Sequence, residues 1–217
     1  MDEMTLSQVG LWAQKTGLEI TGEQHKKLYL LAEELGRWSK SLNLTAIKGQ
    51  KLVAIKHIID SLYMLPMTRG SKNMLDIGSG AGFPCVPIAV MCPELEIVSV
   101  DAVMKKIGFQ RHMCRLLGLI NLNPVHSRVE KLDKKHQFDL VTSRAFSDIV
   151  SFAEHGKPFL SKNGKLVAMR GPDDEMTQNS FERKIEELGL VVKDISRYSL
   201  PEGLGERSLV EMALKAR

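Results

Sequence analysis

The sequence lacks the features that mark metal-binding, membrane-spanning and secreted proteins. Its three cysteines, Cys85, Cys92 and Cys114, are an odd number at spacings that match no metal-binding pattern. No apolar run is long enough to span a bilayer, and the N-terminal stretch MDEMTLSQVG is acidic and polar, unlike a secretory signal. We therefore expect a cytoplasmic protein with reduced thiols, no metal site and no membrane association.

The net charge of +4 is small, but it is unevenly distributed along the chain. Residues 37–56 contain five basic and no acidic side chains, and residues 105–135 contain eight basic and two acidic ones. Such a distribution is typical of proteins with a basic face for a polyanion. On charge alone, however, solvated helix faces are the better explanation.

The first quarter of the chain is predicted to be helical. Apolar residues recur there at spacings of three and four, which places them on one helix stripe: Leu28, Leu31, Leu35, Trp38 and Leu42. Thr21 and Gln24 have the spacing of a capping box at the start of that helix. A further helix is predicted over residues 52–65.

From residue 73 onward, short apolar strands alternate with helices. The predicted strands cover residues 73–78, 95–101, 122–127, 138–146, 164–171, 191–200 and 207–214, and the predicted helices cover residues 83–92, 103–119, 148–155 and 175–189. This alternation predicts an α/β fold with a mostly parallel, doubly wound sheet, closed by an antiparallel hairpin. We expect an N-terminal helical extension over residues 1–66 and a sheet domain over residues 67–217, forming one compact unit.

A glycine-rich loop follows the first predicted strand, in the sequence Asp76-Ile77-Gly78-Ser79-Gly80-Ala81-Gly82. Glycines there allow a sharp turn and a close approach of a ligand to the backbone. The dinucleotide fingerprint G-x-G-x-x-G does not fit, because its last glycine would fall on Phe83 or Cys85. The pattern D-x-G-x-G-x-G instead resembles motif I of class I methyltransferases, which use S-adenosylmethionine.

Two further loops are candidates for the same site. Asp101 ends the second predicted strand, where a carboxylate accepts hydrogen bonds from ribose hydroxyls of any nucleoside cofactor, NAD included. In class I methyltransferases the loop after the third strand contacts adenine, a role open to Glu130 and the backbone of Val129; a solvated Glu130 is the alternative. Arg144 follows the fourth strand, nearest the expected reaction centre, where it could contact cofactor, phosphate or guanine. A structural salt bridge is the alternative for Arg144.

The loop after the fourth strand also limits which atom can be the methyl acceptor. Enzymes that methylate exocyclic amines of bases typically carry [D/N]-P-P-[Y/F] there, whereas this chain has SRAF at 143–146. Pyrimidine C5 methylation needs a nucleophilic cysteine, and the single Pro-Cys pair, Pro84-Cys85, is predicted to lie in the seam between helix and sheet as a packing residue. What remains is an acceptor that needs no covalent activation, and guanine N7 suits this because it has a free lone pair and no proton to remove. We therefore identify no general base.

Over most of its length the chain resembles the RsmG (GidB) family of bacterial methyltransferases of small-subunit ribosomal RNA. The resemblance rests on the segments RWSKSLNLTAI, HIIDSL, LDIGSGAGFPCVPIAV, VDAVMKKIGFQRH, SRVE, FDLVTSRAF and GERSLV. It implies a Rossmann-like class I methyltransferase fold and N7 methylation of one guanine in 16S rRNA, with S-adenosylmethionine as methyl donor. Together with the glycine loop, it implies these cofactor-binding residues: Asp76, Gly78, Gly80, Gly82, Phe83, Asp101, Val129, Glu130 and Arg144. The chain departs from the family pattern at Cys85, Met169, Arg170 and Ser208.

The expected partner is 16S rRNA or the small ribosomal subunit, bound by a monomer. The residues expected on the RNA side are Lys48, Lys51, Lys56, His57, Lys105, Lys106 and Arg111, of which the cations would meet phosphates. For His57, a place on a helix face without RNA contact is an equal alternative. Three other functions stay open: methylation of another RNA position, a nicotinamide-dependent oxidoreductase, and an RNA-binding module without catalysis.

Overall fold

A seven-stranded sheet organises the chain, in the order β3-β2-β1-β4-β5-β7-β6. The computed structural model describes residues 3–144, 146, 148–171 and 180–215. The strands are β1 Asn73–Ile77, β2 Glu96–Asp101, β3 Leu122–His126, β4 Phe138–Ser143, β5 Leu160–Arg170, β6 Leu190–Ser199 and β7 Glu206–Leu214. Strands β1 to β5 pair in parallel, and β7 pairs antiparallel with both β5 and β6. The predicted α/β class and the closing antiparallel hairpin are confirmed.

The helices flank this sheet in sequence order. They are α1 Glu3–Thr16, α2 Gly22–Leu42, α3 Gln50–Val53, α4 Asp60–Leu62, α5 Leu65–Thr68, α6 Cys85–Met91, α7 Met104–Leu117, α8 Ile149–Gly156 and α9 Ser180–Glu187. A π-helical segment, Ala54–Ile59, joins α3 to α4, so the helix predicted over 52–65 is interrupted by a wider turn. Residues 175–179 of the last predicted helix lie outside the described residues. No helix in the described ranges is both long and apolar enough to cross a membrane.

Helix α2 begins where the sequence predicts. The backbone N–H of Gln24 donates to Thr21 Oγ1 at 3.2 Å, and the N–H of Thr21 donates to Gln24 Oε1 at 2.9 Å. This reciprocal capping box satisfies two N–H groups near the helix start that have no partner within the helix. The helix buries Leu28, Leu31 and Leu35 of the predicted stripe.

Each face of the parallel strands packs into its own apolar cluster. In β1, Met74 belongs to one cluster and its neighbour Leu75 to the other, because successive side chains of a strand point to opposite faces. The cluster around Met74 also contains Trp12 and Leu35 from the N-terminal helices. Those helices therefore share a hydrophobic core with the sheet. Helix α5 continues across the proposed boundary between residues 66 and 67.

The order of the strands indicates where a ligand site is expected. From β1 the chain moves outward to β2 and β3, and then returns to place β4 on the other side of β1. In open α/β sheets, ligands bind beyond the carboxyl ends of the strands at such a reversal. The loops after β1, β2 and β4 meet at this edge.

Candidate functional site

The glycine loop after β1 turns at three residues with positive φ: Gly78 at 67°, Gly80 at 59° and Gly82 at 92°. A Cβ on Gly82 would lie 2.5 Å from Val86 Cγ2, so this glycine is required by packing against α6. A Cβ on Gly80 would meet a single atom within 4 Å, Gly78 O at 4.0 Å. Gly80 therefore faces open space at the edge of the sheet, where a ligand can approach the backbone.

Asp101 fastens the glycine loop to the end of β2. Its Oδ2 accepts the N–H of Gly80 at 2.9 Å, and its Oδ1 accepts the N–H of Val103 at 2.8 Å. The ammonium of Lys106 lies 3.8 Å from the same carboxylate. The side chain is buried, so these two backbone donors hold it in one orientation. The ribose contact expected of Asp101 stays a prediction.

Asp76 lies beneath the loop and is fully buried. Its Oδ2 accepts the N–H of Cys85 at 3.2 Å, whereas its Oδ1 is buried with no hydrogen-bond partner in the described part of the chain. Burial raises the pKa of this carboxyl to about 7, and the positive charge of Arg144 opposes the shift. An unsatisfied buried oxygen beside an open cradle fits a bound polar group.

The Cys85 side chain is fully buried, as the packing interpretation predicts. Burial and the neighbouring Asp76 carboxyl raise the pKa of the thiol well above its ordinary value. Its Sγ lies 3.7 Å from Gln110 Oε1, to which the thiol donates. A protonated, enclosed thiol is not suited to nucleophilic attack.

Arg144 lies against the N-terminal helices. Its guanidinium donates to Lys56 O at 3.2 Å and to His57 Nδ1 at 2.9 Å, and it lies 3.6 Å from Asp60 Oδ2. Its Cζ is 5.4 Å from the centre of the Phe83 ring, a cation–π contact. Arg144 thus forms a salt bridge at a position that also borders the glycine loop, and its expected contact with cofactor or guanine stays a prediction.

His57 is buried and neutral. An arginine only donates hydrogen bonds, so His57 Nδ1 accepts from Arg144, and Nε2 carries the proton and donates to Thr45 Oγ1 at 2.8 Å. Burial, reinforced by the Arg144 charge, lowers the pKa of His57 to about 3. The imidazole stacks on Phe83, with ring centres 4.5 Å apart. It thus lies behind the glycine loop, and its expected place on the RNA side stays a prediction.

A basic cleft opens beside this cluster. Asp60 anchors one wall, accepting from Tyr198 Oη at 2.8 Å and lying 3.8 Å from Arg207 Nε. The cleft has a volume of about 360 Å³, and its lining includes Lys56, His57, Asp60, Arg144, Arg170 and Arg207. Sequence reasoning did not single out Asp60, Tyr198 or Arg207, because their contacts join segments more than eighty residues apart.

The remaining predicted cofactor residues lie after β3. Val129 is buried within the cluster that contains Leu75. Glu130 is exposed, and its Oε1 lies 3.3 Å from His155 Nε2. A hydrogen bond from its own backbone N–H is the main cause that lowers the pKa of Glu130. This carboxylate is available to solvent, and its contact with adenine stays a prediction.

The predicted RNA-side cations differ in how they are engaged. Lys51 pairs with Glu202 at 2.6 Å, and the guanidinium of Arg111 donates to Pro124 O at 3.2 and 3.3 Å. Lys48 and Lys105 are exposed, and within the described ranges neither forms an ion pair. Those two are the freest to meet a polyanion.

The chain is similar to known methyltransferases of ribosomal RNA. The model of the GidB family, rRNA small subunit methyltransferase G, matches residues 24–209. A ribosomal RNA small subunit methyltransferase G from Geobacter sp. (strain M21) is 44% identical over 91% of this chain and 92% of its own length.

Solved structures share the fold at low identity. A SAM-dependent methyltransferase from Aquifex aeolicus has a TM-score of 0.54 at 18% identity, covering 71% of this chain and 90% of that one. The YcgJ protein from Bacillus has a TM-score of 0.58 at 15% identity, covering 74% and 100%. The predicted fold is confirmed by these likenesses.

Proposed function

Because this chain belongs to the rRNA small subunit methyltransferase G family, we propose that it methylates guanine N7 in 16S rRNA with S-adenosylmethionine as methyl donor. The observation that carries the proposal is the family match over residues 24–209. That span includes the glycine loop, the acid after β2 and the basic cleft, so donor and acceptor sides belong to one matched unit.

The cofactor assignment is supported by the shape and chemistry of the loop. Gly80 leaves an open cradle, the Asp101 carboxylate stands beside it, and Asp76 carries a buried oxygen without a partner among the described residues. When bound, S-adenosylmethionine supplies an electrophilic methyl group on sulfonium sulfur. The residues that would hold it are Asp76, Gly78, Gly80, Gly82, Phe83, Asp101, Val129, Glu130 and Arg144.

The acceptor side requires alignment and no proton transfer. Guanine N7 carries a lone pair and no proton, so the protein needs no general base there. Holding the two reactants in line can lower the barrier by about 7–11 kcal/mol at best. The cleft beside Arg144 would receive the guanine after it is splayed out of the RNA. The hydrogen bond from Arg144 to the neutral His57 would keep that guanidinium in place.

We assign RNA binding to basic residues at and before the cleft, Lys48, Lys51 and Lys56, and to basic residues of α7, Lys105, Lys106 and Arg111. Lys48, Lys56 and Lys105 would meet phosphates, which supply affinity without sequence readout. Three further cations would contact phosphates once they release the protein groups that they now contact. Lys51 would release Glu202, Lys106 would release Asp101, and Arg111 would release Pro124 O. We further propose a monomer that acts in the cytoplasm, with residues 1–66 as a helical extension of the methyltransferase domain.

Two measurements test this function together. Calorimetry should detect binding of S-adenosylmethionine and not of NAD. Incubation with tritium-labelled S-adenosylmethionine and either naked rRNA or ribosomal subunits from cells that lack the enzyme should label 16S rRNA in at least one of these substrates and leave 23S rRNA unlabelled. Gly80→Asp serves as the inactive control, because it places a carboxylate in the cradle. Label on 23S rRNA, or none on either RNA, would refute the proposal.

A further inference from the structure

A buried amide on α7 holds the glycine loop from below. Gln110 is fully buried, and its Nε2 donates to Ser79 Oγ at 2.8 Å and to Gly80 O at 2.8 Å. Its Oε1 accepts from Ser99 Oγ at 2.6 Å and from Cys85 Sγ at 3.7 Å. Both amide protons and both oxygen lone pairs therefore have partners.

The direction of these bonds is fixed by chemistry. A carbonyl oxygen only accepts, so the amide nitrogen must face Gly80 O, which leaves Oε1 toward Ser99. Ser79 Oγ accepts from Gln110 and donates onward to Val100 O at 3.4 Å. One side chain thus joins the glycine loop to the neighbouring strand β2 through a directed network.

The stem of the same side chain packs against the third glycine. A Cβ on Gly82 would lie 3.2 Å from Gln110 Cγ, so the stem occupies the space that the glycine leaves. Gln110 therefore contacts the loop at Ser79, Gly80 and Gly82, on the face opposite the open cradle. Asp101 holds the N–H of Gly80 while Gln110 holds its carbonyl oxygen, so both peptide groups that flank this residue are fixed.

We propose that Gln110 is a positioning residue for the methyl-donor site, which sets the conformation of the glycine loop without touching the ligand. The inference rests on the proposed use of S-adenosylmethionine by this loop. Without the amide, Gly80 O and the hydroxyls of Ser79 and Ser99 lose a buried partner, and the loop leaves its binding conformation to find others. If the binding conformation is then populated a tenth of the time, the apparent Kd rises tenfold.

The test replaces the amide by a side chain of similar length. Gln110→Met should raise the Kd and the KM for S-adenosylmethionine about tenfold, while kcat at saturating cofactor stays within twofold of the parent. Hydrogen exchange of the amides at residues 79–83 should become faster in the cofactor-free protein. Ser99→Ala, a smaller change on the same network, should raise the Kd two- to threefold.

Met113→Ala is the matched control, because Met113 is fully buried on the same helix and takes no part in the hydrogen-bond network around Gly80. It should lower the melting temperature at least as much as Gln110→Met and leave the Kd within twofold. An unchanged Kd in both Gln110→Met and Ser99→Ala would overturn the inference, as would a fall in kcat with no change in Kd. Absence of cofactor binding by the parent protein would instead refute the proposed function.

Discussion

The glycines at positions 80 and 82 have different tasks, and alanine substitution should separate them. Gly82 has φ +92° and no room for a Cβ, which would lie 2.5 Å from Val86 Cγ2. Gly80 has φ +59° and free space around it. Gly82→Ala should therefore damage the fold, whereas Gly80→Ala should damage ligand binding.

The magnitudes follow from the two geometries. A left-handed conformation costs an L-residue about 1–2 kcal/mol, and this cost applies at both positions. Overpacking adds about 1–3 kcal/mol at Gly82 alone. The free energy of unfolding should thus fall by about 2–5 kcal/mol in Gly82→Ala and by about 1–2 kcal/mol in Gly80→Ala. The methyl group at position 80 enters the cradle and should weaken S-adenosylmethionine binding at least tenfold.

Urea unfolding and calorimetric titration measure the two effects separately. Gly36→Ala is the control, because Gly36 lies within α2 and a Cβ there would meet no atom within 4 Å beyond the helix's own backbone. Alanine at that position should stabilise the helix by up to about 1 kcal/mol. The reasoning fails if Gly80→Ala binds the cofactor as tightly as the parent. It also fails if Gly82→Ala is no less stable than Gly80→Ala.

Three further predictions concern the thiol, two buried titratable groups and the RNA face. Cys85→Ser should lose some stability but keep the rate of methyl transfer within about threefold of the parent. A variant that folds but is inactive would instead indicate that Cys85 is a nucleophile. Asp76, whose pKa rises from 3.8 to about 7, binds a proton in the folded state that the unfolded chain has lost, so its contribution to stability falls as pH rises from about 4 to 7. His57, whose pKa falls from 6.5 to about 3, makes stability rise with pH over about 3 to 6.5. We therefore expect both variants to change the slope of the free energy of unfolding against pH, measured by urea unfolding between pH 4.5 and 6.5. Relative to the parent, this slope should become more positive in Asp76→Asn, by up to about 1.4 kcal/mol per pH unit, and more negative in His57→Gln. Slopes equal to that of the parent would contradict these assignments. Lys48→Gln should make the plot of log K for rRNA binding against log salt concentration less steep, by the amount expected for about one phosphate contact. The same slope in Lys48→Gln and in the control Lys193→Gln on β6 would contradict a phosphate contact at Lys48.

Local patterns in the sequence predict the framework well. The capping box at Thr21 and Gln24 is present, and the alternation after residue 73 gives the strands that the structure contains. These features depend on neighbours within four residues or on alternating burial, which a sequence displays directly. The π-helical segment Ala54–Ile59 was not predicted, because its apolar spacing still resembles that of an α-helix.

The supporting side chains of the site are harder to predict, because they act across long separations. His57 is polar, and its burial depends on Thr45, Phe83 and Arg144 arriving from three other segments. One feature of the sequence points to Gln110, which is a polar residue on the buried stripe of α7 that also contains Ile107, Met113 and Leu117. A polar side chain on such a stripe needs partners, and the chain alone does not say that they belong to the glycine loop.

Mapping the methylated atom tests the central claim most directly. Naked rRNA and small ribosomal subunits from cells that lack the enzyme are each incubated with the protein and S-adenosylmethionine. The RNA is then treated with borohydride and aniline, which cleave the chain at N7-methylguanosine. We predict one new cleavage, at a single guanine of 16S rRNA. Methylation at an adenine, at a pyrimidine or at another atom of guanine would leave no such cleavage and would contradict the account.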